Sequence, residues 1–180
     1  VCWPGFFLGA LAGVLSIGHA ATIITHFGGT AAAAVTGVTL LSIGNASGRL
    51  TSGWLADFVA VRSVAAISHL VGAIGFVIVL AYPNGTGAVI TMALAGVSYG
   101  MAAGIYPSAV SIFLGRENYG RNFAVLLTAW GVAGLLGPIA GGFFFDLTGD
   151  YRVALEFACV ASILGLFNAM RLPRTRLSEA

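Results

Sequence analysis

N-A-S-G-R-L-T-S-G-W-L-A-D-F-V-A-V-R, residues Asn45 to Arg62, ends one long apolar run and opens onto another. The run before it, Ala31 to Leu41, has no polar side chain beyond threonine. Inside the stretch stand two opposite charges, Arg49 and Asp57, eight residues apart. On one helix that separation puts Arg49 about 12 Å deeper than Asp57. With Asp57 at a membrane surface, Arg49 lies near the middle of a hydrocarbon layer about 30 Å thick. A guanidinium at that depth is costly unless it faces a polar cavity or a partner.

The whole composition agrees with a membrane setting. The chain is 58% hydrophobic and only 8% charged, with no lysine, against about 25% charged for average soluble domains. Spans of about 20 residues with short connections leave room for roughly five to seven helices. The 26 glycines suit membrane helices, which approach one another through small residues. Gly5-Gly9-Gly13 and Gly96-Gly100-Gly104 repeat at four-residue spacing, each a smooth stripe on one helix face. Cys2 and Cys159 sit inside apolar runs and read as packing residues, with no disulfide or metal spacing.

Six apolar segments are expected, over about residues 3–25, 31–55, 63–82, 88–114, 123–145 and 153–172. Pro107 and Gly137-Pro138 mark expected kinks in the fourth and fifth. Arginines orient the set. Arg62, Arg116 and Arg121 follow the second and fourth segments, and Arg171, Arg174 and Arg176 follow the sixth, whereas the opposite breaks hold only Arg152. By the positive-inside rule the arginine-rich side is cytoplasmic, which puts both ends of the chain there. Gly53-x-x-x-Asp57-x-x-Ala60 then Arg62 is echoed by Gly142-x-x-x-Asp146-x-x-Gly149 then Arg152. The echo falls at equivalent places in two three-helix units but on opposite faces, as an inverted repeat demands. Residue 1 is Val and the first apolar run begins at once, too long for a signal peptide, so the sequence reads as a piece whose N-terminal part is missing.

Gly53 to Arg62, G-W-L-A-D-F-V-A-V-R, resembles the loop motif of the major facilitator superfamily, G-x-L-a-D-r-x-G-r. Phe58 stands where that motif has a basic residue and Ala60 where it has glycine. Ala12 to His19 (A-G-V-L-S-I-G-H), Asn45 to Asp57, and Phe113 to Pro138 (F-L-G-R-E-N-Y-G-R-N-F-A-V-L-L-T-A-W-G-V-A-G-L-L-G-P) resemble the oxalate/formate antiporters and their monocarboxylate-transporter relatives. The resemblance implies an all-α fold, with residues 1–180 as the C-terminal six-helix half, helices 7 to 12, of a twelve-helix carrier. The N-terminal half would be an absent partner.

That resemblance assigns Arg49 to holding a substrate carboxylate. The chemistry agrees, because a planar fork of donors fits a carboxylate bidentately. The competing reading is an arginine that snorkels to the surface. Asn45, one turn deeper, either orients Arg49 or packs. Trp130 stands where oxalate carriers of the family have a second cation, so one cation and an indole would line the site. Tyr99 and Tyr106 are aromatic lining candidates. For the gate, Gly53 allows close approach and Asp57 docks on the start of the fifth helix, where unpaired N–H groups favour an anion. Arg62, Arg116 and Arg121 complete the gating set, with Arg116 or Arg121 as ion partner of Asp57. His19 is a candidate for proton coupling or a hydrogen-bonded packing residue. His26 and His69 carry no signal, and Arg152 with Glu156 reads as an ordinary i,i+4 pair.

No nucleophile constellation or phosphate-binding loop is present in the sequence, so no enzyme activity, metal or cofactor is expected. The expected function is secondary active transport of a small organic anion across a cell membrane. A monocarboxylate such as formate, lactate or pyruvate is preferred, with oxalate/formate exchange within the same class. A drug or sugar carrier, or a stand-alone structural membrane protein, are the alternatives. No nucleic-acid partner is expected.

Overall fold

Apolar runs of this length give six helices in the computed structural model, which describes residues 1–174. They are α1 (Cys2–His26), α2 (Ala31–Phe58), α3 (Val61–Ala81), α4 (Gly85–Leu114), α5 (Tyr119–Thr148) and α6 (Arg152–Ala169). All six are long and apolar enough to cross a membrane. Thr30 and Asn84 cap α2 and α4 by accepting from the Ala33 and Gly87 N–H groups. Gly115 and Gly149 close α4 and α5 at φ of 78° and 70°, where a side chain would be strained. Arg176 lies outside the described residues.

The helices overrun the apolar segments. Residues 53–57 form the last turns of α2 rather than a loop, and α5 begins at Tyr119 and runs to Thr148. Both α4 and α5 continue unbroken through Pro107 and Pro138.

Packing obeys the inverted repeat. Exchanging α1 with α4, α2 with α5 and α3 with α6 turns the α2–α4 seam into the α1–α5 seam, and α3 on α4 into α1 on α6. Helices α1 and α4 form the centre, whereas α2 and α5 are the least buried. Each of those two buries one stripe at three- and four-residue spacing. On α2 it is Leu41, Gly44, Gly48, Ser52 and Ala56; on α5 it is Leu126, Ala129, Ala133, Gly137 and Gly141.

The two glycine stripes read from the sequence have distinct tasks. On α4, a Cβ at Gly96 would strike the Leu41 backbone and one at Gly100 the Asn45 backbone, while Gly104 lies against Ser52 and the Arg49 carbonyl. Only glycine lets α2 lie this close, and the contact fixes Asn45 and Arg49 on α4. On α1, Gly13 lies under the Tyr99 ring, Gly9 beside His69 and Gly5 under the Tyr106 hydroxyl. In a membrane such packing replaces the hydrophobic drive.

Candidate functional site

The α4 stripe leaves Arg49 on the flank of α2, beside a cavity of about 230 Å³ bounded by α1, α2, α4 and α5. Its lining is Phe6, Arg49, Tyr99, Ala103, Pro107, Phe123, Leu127 and Trp130. Arg49 is the one charged residue in that lining. Its Nε donates to the Asn45 side-chain oxygen at 3.2 Å. That bond holds one edge of the guanidinium and leaves the terminal nitrogens as a fork. Asn45 therefore orients Arg49, one turn away, as the spacing allowed.

Opposite, Trp130 Nε1 donates to the Tyr99 hydroxyl oxygen at 2.7 Å. Tyr99 is 5% exposed and Trp130 47%, so the ring face of Trp130 is open while its one polar atom is satisfied. Because the Tyr99 oxygen already accepts from Trp130, its own hydrogen is free to donate into the cavity. The surface so formed has one cation, one hydroxyl donor and apolar walls.

Of the expected site residues, Arg49, Tyr99 and Trp130 meet in this cavity, and Asn45 supports it. Tyr106 does not line it. It lies two turns along α4 from Tyr99, at the α3 edge of the same stripe, and its hydroxyl is 2.9 Å from His69 Nε2 inside the bundle. Phe123 and Leu127 were not anticipated, although they share one helical face with Trp130 at i, i+4 and i+7. Ala103 and Pro107 follow Tyr99 at i+4 and i+8 and were legible in the same way. Phe6 had no such signal.

The gating set is dispersed. Asp57 is exposed and, among the described residues, makes no hydrogen bond or ion pair, so its docking on the start of α5 is not seen. A Cβ on Gly53 would meet nothing within 4 Å, so close approach there involves no other described part of this chain. Arg116 and Arg121 are exposed, Arg62 is half-buried, and among the described residues none pairs with an acid.

His26 and His69 also depart from expectation, whereas His19 takes the hydrogen-bonded packing place that was one of its two readings. His19 is half-buried, with Nε2 3.0 Å from the Pro138 carbonyl oxygen and its ring over Gly141, a bond between α1 and α5. His26, expected to be silent, binds Asp150 at 3.0 Å. Arg152 turns to Asp150 at 3.8 Å rather than to Glu156, because its own backbone N–H is held by the same carboxylate. His69 is buried in the centre.

The chain matches the Major Facilitator Superfamily over residues 2–179. It is 36% identical over 159 residues to monocarboxylate transporter 11 of Mus musculus, covering 82% of this chain and 34% of that one. It is 30% identical over 134 residues to the uncharacterized MFS-type transporter YhjX of Escherichia coli K12, covering 72% and 33%. Superposition on the proton:xylose symporter XylE gives a TM-score of 0.78 at 17% identity, covering 96% of this chain and 43% of that one. Superposition on the human organic anion transporter MFSD10 (TETRAN) gives 0.76 at 15% identity, covering 99% and 48%. These likenesses at low identity show the fold alone. The chain spans about a third of the length of the curated relatives it matches.

Proposed function

Because the chain belongs to the major facilitator superfamily, we propose that it forms the C-terminal half of a secondary carrier for small monocarboxylates. The observation that carries this reading is a lone guanidinium, oriented by Asn45, in a cavity otherwise lined by Tyr99, Trp130 and apolar groups. A carboxylate would accept from the Arg49 fork and from the Tyr99 hydroxyl. Its small apolar end would meet the Trp130 ring. A dianion such as oxalate leaves one carboxylate unpaired there, and a buried unpaired charge is strongly unfavourable.

In this reading the second half of the cavity wall comes from an N-terminal six-helix bundle, and the site opens alternately to the two sides. Asp57, Gly53, Arg62, Arg116 and Arg121 lie on surfaces that such a partner would meet during gating. The arginine-rich ends face the cytoplasm of a plasma or inner membrane. The relative named a monocarboxylate transporter supports the substrate class.

The test is uptake of radiolabelled formate, lactate, pyruvate and oxalate by proteoliposomes holding the full-length carrier that contains this sequence. Arg49→Lys keeps the charge but loses the fork, and affinity should fall by about 1.5–3 kcal/mol. Arg49→Ala should abolish uptake in a protein that still inserts. Parental affinity in the Ala variant would return Arg49 to a structural role.

A further inference from the structure

Behind the cavity wall lies a second polar cluster that substrate binding does not use. Its centre is His69 of α3, 1% exposed. The imidazole occupies a slot made by two glycines. A Cβ on Gly9 of α1 would lie 3.1 Å from its Cε1, and one on Gly165 of α6 would collide with the ring. Nε2 is 2.9 Å from the Tyr106 hydroxyl of α4. Asn168 of α6 sits beside that hydroxyl over Gly5. Three helices, α1, α4 and α6, thus give up side-chain volume or supply a polar group around one imidazole of α3. An apolar residue would fill the slot without any partner, and ionisable groups inside membranes are rare and functional.

The cluster touches the cavity at two points. The Phe6 ring packs on Tyr106 with centroids 5.8 Å apart, and Phe6 also lines the cavity. Pro107, next in the chain after Tyr106, lines it too. Pro107 has no N–H for the Ala103 carbonyl, so α4 is weakest there.

We propose that His69 is the proton-binding site of the carrier, with Tyr106 linking it to the α4 wall of the substrate cavity. This rests on the transport reading above and names its coupling ion. In the neutral tautomer with a bare Nε2, that nitrogen accepts the Tyr106 O–H. A proton taken from water gives an imidazolium in which both nitrogens donate. Nε2–H then donates to the Tyr106 oxygen, and the Tyr106 hydrogen must turn to another acceptor. The only bond formed is N–H.

The titratable groups around His69 are Tyr106 from α4, Cys2 of α1 beyond it, and Cys159 of α6, whose thiol faces the Ala73 carbonyl one turn along α3. Gly9 and Gly165 are the other near neighbours. Of the acids among the described residues, Asp57, Glu117, Asp146, Asp150 and Glu156, none is buried, so the imidazolium meets no counter-ion from them inside the bundle. With the cavity empty it is opposed by Arg49. A carboxylate on Arg49 cancels that opposition, so anion and proton assist each other's binding, as linkage requires.

The experiment uses the full-length carrier in proteoliposomes with radiolabelled lactate and reads two activities. One is accumulation driven by a pH gradient; the other is exchange of internal for external lactate at equal pH. His69→Gln should lose gradient-driven accumulation by about tenfold or more, within ordinary coupling energies, and retain exchange. Tyr106→Phe should keep both and shift the pH midpoint of accumulation. Parental accumulation in a folded Gln variant overturns the proposal and leaves the transport reading standing, as does a parent that exchanges but ignores the gradient. Loss of both activities in a folded Gln variant marks a structural histidine and also overturns it. If the Gln variant fails to insert, an unmoved midpoint in Tyr106→Phe overturns it. A parent that carries none of the carboxylates under either condition overturns the transport reading itself.

Discussion

The two seams that the inverted repeat pairs, α2 on α4 and α1 on α5, make equivalent contacts with different material. In the first, glycine meets backbone. Gly44 and Gly48 face the Ala93 and Val97 carbonyls, and Gly96 and Gly100 face Leu41 and Asn45. In the second, Gly137 likewise faces the Leu11 and Leu15 backbone, but side chains fill the notches on either side of it. The His19 ring occupies the place of a Cβ on Gly141, and the Pro138 ring lies 3.5 Å from one on Gly18. The backbone that these four glycines meet cannot rotate away, so the first seam holds Arg49 at a fixed height beside the cavity. The second closes through a rotatable imidazole and its 3.0 Å bond to the Pro138 carbonyl. The seam that holds the charge is stiff along Gly44, Gly48, Gly96 and Gly100, and its symmetry mate is adjustable where His19 meets Gly141.

The strongest way to break that contrast is to add one methyl to each seam. In Gly100→Ala the new Cβ meets the Asn45 backbone, so α2 must shift as a body. Overpacking of this kind costs about 1–3 kcal/mol, and displacing Asn45 and Arg49 should also weaken carboxylate binding. In Gly141→Ala the obstacle is the His19 ring, which can turn at the expense of one hydrogen bond worth about 1 kcal/mol. Thermal unfolding in detergent should rank Gly100→Ala well below Gly141→Ala. Equal losses would mean that both seams are equally stiff.

His19→Ala sharpens the comparison from the other side. It removes the α1–α5 hydrogen bond and should destabilise by about 0.5–1.5 kcal/mol. Since the imidazole bonds a backbone carbonyl and no acid, the pH dependence of transport should keep its parental shape. A pH profile flattened by His19→Ala would restore His19 as the coupling residue and displace His69.

What the sequence disclosed follows from what hydropathy measures. Six apolar runs gave the number of helices, because bilayer thickness sets span length, and the echo of Gly53–Arg62 at Gly142–Arg152 gave the inverted repeat. They misplaced the ends of α2 and α5, since backbone hydrogen bonds continue through polar residues such as Asp57 and Asn122 that lie beyond the apolar layer. Arg49 was legible because a charge at mid-span needs a reason. Tyr99 and Trp130 came with it through the family resemblance, but their mutual hydrogen bond joins α4 to α5 and no local pattern encodes it. His69 passed unnoticed for the same reason. An all-apolar span carries little amphipathic contrast, so nothing in the sequence says which face of α3 meets Gly9, Gly165 and Tyr106.

The smallest effect lies where the seams end. His26, the last residue of α1, binds Asp150 just past α5, whereas past α2 the symmetry-related turn at Val59 and Ala60 has no ion pair among the described residues. Burial, the largest single influence on Asp150, pushes its carboxyl up. The Arg152 backbone N–H, the bond from His26 and the charges of His26 and Arg152 together outweigh it, and the group titrates below its ordinary carboxylate value. A carboxylate depressed in the folded state contributes stability above its unfolded pKa and loses it as pH falls through the folded one. The contribution is therefore intact at neutral pH and fades only below the usual carboxylate range of about 4. With 39% of the side chain exposed, solvent and salt screen the pair to about 1 kcal/mol or less. Asp150→Asn should lower thermal stability slightly at neutral pH, by less in high salt, and leave almost no difference from the parent under strong acid. At the other end the nearest acid is Asp57, and Asp57→Asn should leave the stability of this bundle unmoved at every pH. A loss at Asp57 as large as that at Asp150 would show that the two ends are tied alike.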